Sequence, residues 1–445
     1  MSELPEGWAE TTLGEVANWG SGGTPSRSEP SFYGGTIPWI KSGELNSRYV
    51  TTTEEFITEA AIKNSSAKLF PAGSVAIAMY GATIGKTSIL GVDASTNQAC
   101  AVGAPVEGVI GKEFLYRLLQ SEKEAFIEKG KGGAQPNISQ AVIKAHGIYL
   151  PPQAEQIRIA QKLDELLAKV NTLKTRIDSI PTVLKKFRRS VIASAASGRL
   201  TEEWRQGKSV DWIATTLADV IEKKPRNGYS PKTAIYKTTT KTLSLSATTA
   251  GVFKGECFKY IDEEISSESY LWLKPGDILI QRANTLEYVG VSAIYDGEPN
   301  KYIYPDLMMK CRAKDNVLTK YLHICLSSHD TRKYFRDNAT GTAGNMPKIN
   351  QQTVMNAPIF LPSLQEQTEI VRRVEQLFAF ADQLEAKVAS AKNRIDHLAQ
   401  SILAKAFRGE LVPQDPNDEP ASVLLERIKA QRTAEPKTSR TRKSA

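Results

Sequence analysis

The sequence predicts an α+β fold: two mixed α/β globular domains joined by two long antiparallel helices that form a coiled coil with a pseudo-two-fold. Three observations lead there. Leu150-Pro151-Pro152-Gln153-Ala154-Glu155-Gln156 returns 211 residues later as Leu361-Pro362-Ser363-Leu364-Gln365-Glu366-Gln367. Ser190-Val191-Ile192-Ala193-Ser194-Ala195-Ala196-Ser197-Gly198-Arg199-Leu200 matches Ser401-Ile402-Leu403-Ala404-Lys405-Ala406-Phe407-Arg408-Gly409-Glu410-Leu411 at the same offset, so both blocks have one length and no insertion. Between these ends each block carries apolar residues spaced 3, 4, 3, 4, the stripe of a helix that packs on another helix.

The elements follow in order. Trp8-Ala9-Glu10-Thr11-Thr12-Leu13-Gly14-Glu15-Val16 reappears as Trp212-Ile213-Ala214-Thr215-Thr216-Leu217-Ala218-Asp219-Val220. Pro71-Ala72-Gly73-Ser74-Val75-Ala76-Ile77 is echoed by Lys274-Pro275-Gly276-Asp277-Ile278-Leu279-Ile280, in each case a turn and then a β-rich run that reads as a buried strand. Helical patches are expected over residues 114–127 and 321–335, and Gly133-Ala134-Gln135-Pro136-Asn137-Ile138 lies opposite Gly344-Asn345-Met346-Pro347-Lys348-Ile349. The two frames share their ends and differ in the middle, and each is of ordinary domain size.

The first helix has the stripe Leu163, Leu166, Val170, Leu173, Ile177, Ile180, Leu184, Phe187, Val191; the second has Val374, Leu377, Ala381, Leu384, Val388, Ala391, Ile395, Leu398, Ile402. Four heptads at about 1.5 Å per residue make a rod of roughly 40 Å. Two equivalent helices that meet through one seam close as an antiparallel, pseudo-two-fold pair. Pro-rich turns precede each Glu-Gln, where carboxylates suit a helix N-terminus. Gly198 and Gly409 stand where glycine caps end a helix, and Pro181 is expected to kink or locally break the first helix. After Leu411 comes a Pro/Asp linker, then a small amphipathic helix over 421–432 using Val423, Leu424, Leu425 and Ile428, then a basic stretch over 437–443.

A net charge of +8 is compatible with a nucleic-acid partner and weak evidence by itself. No run of 18 apolar residues predicts a membrane span, and Met1-Ser2-Glu3-Leu4-Pro5 lacks a basic-then-apolar signal. Cys100, Cys257, Cys311 and Cys325 have no C-x-x-C spacing and fit buried thiols in a reducing cytoplasm. His146, His323, His329 and His397 are too dispersed for a zinc site.

Catalytic signatures fail one by one. Gly81-Ala82-Thr83-Ile84-Gly85-Lys86-Thr87 has three residues between its glycines where a phosphate loop needs four, and reads as a turn between strands. There is no Asn/Asp-Pro-Pro-aromatic tetrapeptide, no Gly-rich dinucleotide loop after a strand and no Gly-x-Ser-x-Gly. Pro305-Asp306 lacks a following Asp/Glu-x-Lys at a useful distance. No set of residues supplies a nucleophile, base and oxyanion hole, so the chain is expected to be non-catalytic.

The ordered duplication resembles the specificity subunit of type I restriction-modification systems. The resemblance rests on the Trp8 and Trp212 segments, the two Leu-Pro-x-x-x-Glu-Gln helices, and Gly22-Gly23-Thr24-Pro25-Ser26, Ile37-Pro38-Trp39-Ile40 and Ala404-Lys405-Ala406-Phe407-Arg408-Gly409-Glu410-Leu411, and spans residues 4–430. It implies target recognition domains at 1–149 and 201–360, spacer helices at 150–200 and 361–411, and a linker, short helix and basic tail at 412–445. Each recognition domain would read one half of a split double-stranded DNA target. The helices would set the gap and dock two modification (methyltransferase) subunits, which restriction/translocase subunits would join. S-adenosylmethionine, ATP and Mg would be bound by those partners and no cofactor by this chain. A rod of about 40 Å is comparable to one turn of B-DNA, near 34 Å.

Base readout needs Arg, Lys, Asn or Gln at groove edges, with other cations on phosphates. In the first domain the candidates are Lys41 after Pro38-Trp39-Ile40, Asn46, Arg48, and Tyr80 and Lys86 flanking the turn. In the second, Gln281-Arg282-Ala283-Asn284-Thr285-Leu286-Glu287-Tyr288 occupies the place of that turn, and there Arg282, Asn284 and Tyr288 are the candidates, with Lys348 for phosphate. Two other classes stay open at this point: a self-sufficient methyltransferase or nuclease, and a coiled-coil scaffold that binds only proteins.

Overall fold

A computed structural model describes residues 4–130, 137–206, 212–341 and 346–434, without the side chains of 431–434. The two segments expected to be equivalent, 133–138 and 344–349, therefore lie partly outside the described residues, and the basic stretch over 437–443 wholly so. The chain divides into two compact units, Met1–Ile177 with Ala391–Ala445, and Asp178–Ser390.

In the first unit the strand Ala9–Thr12 pairs antiparallel with Gly147–Leu150, so the segment that opens the domain is fastened to the segment that closes it. Between them a five-stranded sheet runs in the order Ala17–Ser21, Cys100–Pro105, Val75–Ala78, Thr87–Leu90, Tyr49–Val50. Val75–Ala78 and Thr87–Leu90 are buried along their whole length, which is why the sequence there does not alternate. The helix Lys112–Ser121 buries Phe114, Leu115, Leu118 and Leu119 in the same core as Val75 and Ile77. A smaller sheet, Phe56–Ile57, Tyr33–Ile40, Ser95–Thr96, carries the Ile37-Pro38-Trp39-Ile40 segment. The Trp39 indole donates to the Gly23 carbonyl at 3.0 Å, and a Cβ on Gly23 would stand 2.2 Å from the Ser66 carbonyl oxygen, so only glycine fits that approach.

The second unit repeats the plan. Ile213–Thr216 pairs antiparallel with Pro358–Leu361. Its main sheet has the order Arg226–Asn227, Met308–Cys311, Ile278–Gln281, Ser292–Ile294, with a second sheet of Thr233–Ala234, Phe258–Ile261 and Thr240–Leu243. The helical patches resolve into Lys112–Ser121 and Lys123–Lys129 in one unit and Thr319–Ser327 and His329–Asp337 in the other.

The long helices are Gln153–Ala196, 44 residues, and Leu364–Ala406, 43 residues. Both end as expected: Gly198 and Gly409 each have φ of 76°, the left-handed cap. Within the first unit Leu163 and Val170 share a core with Ile395, Ile402 and Ala406, and Lys174 pairs with Asp396 at 2.6 Å. Within the second, Val191 and Ala195 share a core with Ile370 and Val374, and Arg188 pairs with Asp382 at 2.7 Å. The sense is antiparallel in both units.

Several expectations are corrected. The first helix is not broken at Pro181 but continues through it. Pro181 is exposed, so water can meet the carbonyl whose helical partner the proline removes. Leu173 and Leu398 on the stripe and Val423 on the terminal helix Ala421–Ala434 are exposed. An α-helix drifts about 20° per heptad from a perfect 3.5 repeat, and Leu167 and Leu403 join the core of the first unit beside the stripe.

Candidate nucleic-acid interface

The repeated Glu-Gln pair builds the frame on which each candidate surface hangs. Gln156 accepts from the Gly111 N–H at 3.3 Å and donates to the carbonyls of Val109 at 2.8 Å and Pro151 at 3.1 Å. Gln367 does the same in its unit, with the Leu318 N–H at 2.8 Å and the carbonyls of Asn316 at 3.3 Å and Pro362 at 3.0 Å. Each glutamine thus ties the first turn of a long helix to the loop that starts the domain's own helix.

The neighbouring glutamates are buried rather than placed as charges on the helix end. Glu155 accepts from the Trp8 indole at 3.1 Å, and burial raises its carboxyl above the usual range against the pull of that N–H. Glu366 has a fully buried side chain and accepts from Thr201 at 2.7 Å, Arg205 at 3.0 Å and the Trp212 indole at 3.2 Å. The tryptophan that opens each repeat therefore docks on the glutamate that opens each helix.

The same turn is held out of both frames. In the first unit the strand Val75–Ala78 leaves the sheet, and the turn closes through Gly85 N–H to Ala78 O at 3.1 Å and Ala78 N–H to Lys86 O at 2.9 Å. In the second the closing bonds run from Gly290 N–H to Gln281 O at 2.7 Å and from Gln281 N–H to Val291 O at 2.8 Å. Gly85 and Gly290 share a φ of 77°. A second tether repeats as well: Ile138 N–H donates to Met79 O at 3.0 Å, and Ile349 N–H to Arg282 O at 2.8 Å. Tyr80 bridges Asn137 as Ala283 bridges Lys348. The second turn is two residues longer between its closing bonds, so equivalent frames carry unlike turns.

In the first unit the structure brings Asn46, Arg48 and Lys86 together. They line an open cleft of ≈ 630 Å³ with Arg117, Lys123 and Gln120. Lys86 Nζ donates to Asn46 Oδ1 at 2.8 Å, a neutral partner that leaves its charge unspent. Arg48 is different: Glu113 and Asp164 both pair with it, and its guanidinium lies over the rings of Tyr49 and Tyr116. Two carboxylates pair with it through Nε and Nη2, and the bond to Asp164 fastens the domain to the long helix. Lys41 lies apart, just past the end of the strand Tyr33–Ile40 and 2.6 Å from Glu55, and that bond holds its ammonium above the ordinary lysine range. Tyr80 stands exposed at the start of the turn.

In the second unit Arg282, Asn284, Tyr288 and Lys348 come together on the turn and its tether. Arg282 Nη1 donates to Asp306 O at 3.3 Å, and Asn284 Nδ2 to Gln281 Oε1 at 2.7 Å. Tyr288 is half-buried and Lys348 is exposed. Sequence reasoning missed Arg117 and Lys123, which come from the helices Lys112–Ser121 and Lys123–Lys129 and reach the cleft only through packing, and Gln281, a polar residue ending an otherwise apolar strand. Among the described residues no cluster of His, Cys, Asp and Glu could hold a metal ion, and no helix is long and apolar enough to cross a membrane.

The family described as "Type I restriction modification DNA specificity domain" matches this chain twice, over residues 5–182 and 209–391. The chain belongs to that family. It is 33% identical over 456 residues to the "Type I restriction enzyme EcoKI specificity subunit" of Escherichia coli (strain K12), covering 97% of each chain. It is 31% identical to the "Type I restriction enzyme StySPI specificity subunit" of Salmonella potsdam, over 100% of this chain and 99% of the relative. Family membership also extends to the fold. The crystal structure of the HsdS subunit from Thermoanaerobacter tengcongensis superposes with a TM-score of 0.61 at 20% identity, covering 92% of this chain and 98% of that one. The two family segments coincide with the two frames described above, each with its own clamp and turn.

Proposed function

We propose that this chain is the DNA specificity subunit of a type I restriction-modification complex and reads a bipartite, asymmetric target with two unlike recognition domains. One observation carries the reading. A single frame, fixed by the same Trp–Glu and Gln clamps, occurs twice and holds out the same turn with different length and chemistry. Equivalent frames suit one duplex; unlike turns suit two different half-sites. Lys86 and Lys348 serve phosphates, and Asn46, Tyr80, Arg282, Asn284 and Tyr288 meet base edges or sugar. Lys41 and Arg48, already paired with carboxylates, are the weakest of the candidates, and they act by holding the first surface in shape.

The chain performs no chemistry itself. Its duplicated helices offer two equivalent sites for two modification subunits, and restriction/translocase subunits join that core. S-adenosylmethionine, ATP and Mg belong to those partners, and the assembly works in the cytoplasm. Free, scattered cysteines agree with such a compartment.

The test is reconstitution with modification subunits, followed by mapping of methylated adenines. Wild-type protein is expected to give two half-sites at one spacing, Lys86→Ala to weaken methylation with no change of sequence, and Asn284→Ala to relax one half-site alone. Methylation by the purified chain alone would overturn the reading, and an Asn284→Ala map identical to wild type would remove this turn from the DNA interface.

A further inference from the structure

The strand Ile278–Gln281 ends on a glutamine with no exposed surface, although its neighbours Ile278, Leu279 and Ile280 are apolar. A buried carboxamide in such a place has to be satisfied, and this one is. Gln281 Nε2 turns its two N–H groups on three acceptors, one of them shared: the Leu245 carbonyl at 2.9 Å, Thr248 Oγ1 at 2.9 Å and Thr249 Oγ1 at 3.1 Å. Its Oε1 accepts from Asn284 Nδ2 at 2.7 Å, and Asn284 Oδ1 accepts from the Thr285 N–H at 2.7 Å.

The order of atoms in this chain is forced from both ends. The Leu245 carbonyl can only accept, and the Thr285 N–H can only donate. The Thr248 and Thr249 hydroxyls lie 3.3 and 2.9 Å from Leu245 O, and a hydroxyl that donates there can only accept from Gln281. Turning Gln281 over would set oxygen against oxygen at Leu245; turning Asn284 over would set an amide NH2 against the Thr285 N–H. Neither carboxamide can flip without losing the network. In the first unit the equivalent strand ends on Ala78, which carries no such device.

We propose that Gln281 is a positioning residue that locks the Asn284 carboxamide in one polarity, so that the turn presents a hydrogen-bond donor and acceptor to DNA in a fixed order. After its two internal bonds Asn284 keeps one N–H and one lone pair on Oδ1. An adjacent donor and acceptor match the N7 acceptor and N6 amino donor of adenine in the major groove, and a fixed order admits that pair in one orientation. This inference rests on the proposed function, in which the turn meets DNA, and adds what sets its selectivity.

The experiment uses the full chain assembled with its modification subunits and competition binding to duplexes in which each position of the half-site carries each of the four base pairs. Asn284→Ala is expected to erase discrimination at one position. Gln281→Met, similar in volume but without the amide, is expected to lower discrimination at that same position on the order of tenfold, with ratios at other positions unchanged. Should Gln281→Met fail to fold, Thr248→Val with Thr249→Val removes two of the three acceptors that hold the Gln281 amide and leaves its Leu245 bond, so the same position should lose part of its selectivity, less than in Asn284→Ala and with ratios at other positions unchanged. An equal loss on every duplex, or an intact ratio at the Asn284 position, overturns the inference and leaves the proposed function standing. Unchanged ratios in Asn284→Ala overturn the DNA contact by this turn as well.

Discussion

Replacing Gln367 with alanine tests the clamp that repeats in both units. The side chain is 1% exposed and satisfies three backbone groups: the Leu318 N–H and the carbonyls of Asn316 and Pro362. Alanine leaves a half-buried donor at Leu318 and a buried acceptor at Pro362 without that partner, while the carbonyl of the exposed Asn316 can turn to water. An uncompensated buried group costs about 1–3 kcal/mol, and with the Asn316 carbonyl open to water and the Pro362 carbonyl at the low end the loss is about 2–4 kcal/mol. Urea unfolding followed by tryptophan fluorescence reads the loss, and faster hydrogen exchange at the Leu318 amide reports its place. Gln156→Ala, which empties the matching clamp, should cost the same within about a factor of two. Gln365→Ala, exposed and two residues away, should change stability by less than about 0.5 kcal/mol. A loss below about 1 kcal/mol for Gln367→Ala, with unchanged Leu318 exchange, would refute the clamp as the reason for the repeated Glu-Gln pair.

Other outcomes follow from single features. Glu155 has its carboxyl raised by burial, so the unfolded chain releases that proton at lower pH than the folded one. Its contribution is present below the ordinary carboxyl range and is lost as pH rises through the raised value, and Glu155→Gln should remove that part of the slope in denaturation measured across mildly acidic to neutral pH. Cys100, Cys311 and Cys325, buried and with thiols pushed up to about 12, should resist a thiol reagent at pH 8 in the folded protein, while the half-buried Cys257 reacts; mass spectrometry identifies the labelled residue. Deleting residues 177–183 together with 387–393 removes one heptad from each long helix, about 10 Å of rise, and should shorten the permitted gap by roughly 3 base pairs. Methylation mapping with an unchanged gap would show that the helices are not the ruler. Arg282→Ala should weaken binding to one half-site by about 1–3 kcal/mol if it reads a base, and a salt titration that shows an equal loss on all sequences would make it a phosphate contact.

The architecture was legible because it was written in register. The two Leu-Pro-x-x-x-Glu-Gln starts, the two heptad stripes and the caps at Gly198 and Gly409 are local signals, each contained within a few residues and each recurring at one offset. Helix periodicity and a left-handed glycine depend on backbone geometry close by in the chain, and so does a buried strand such as Val75–Ala78. The matching turns after Val75–Ala78 and Ile278–Gln281 could be set side by side for the same reason.

What a side chain does once placed was not legible. Lys86 and Arg48 look alike as surface cations in the sequence, yet one meets an amide oxygen and the other two carboxylates, Glu113 and Asp164, that lie far along the chain. Glu155 and Glu366 read as helix-end charges and are buried acceptors for tryptophans from the other end of their domains. Gln281 reads as the tail of a strand and is the centre of a polar network. By itself the sequence determined the repeat, the helices, the glycine caps and the family likeness, since covalent neighbours encode backbone shape. The tertiary structure alone decided which charges are spent and which amides are locked, because a hydrogen bond or ion pair acts only over a few ångströms of space, whatever the distance in sequence.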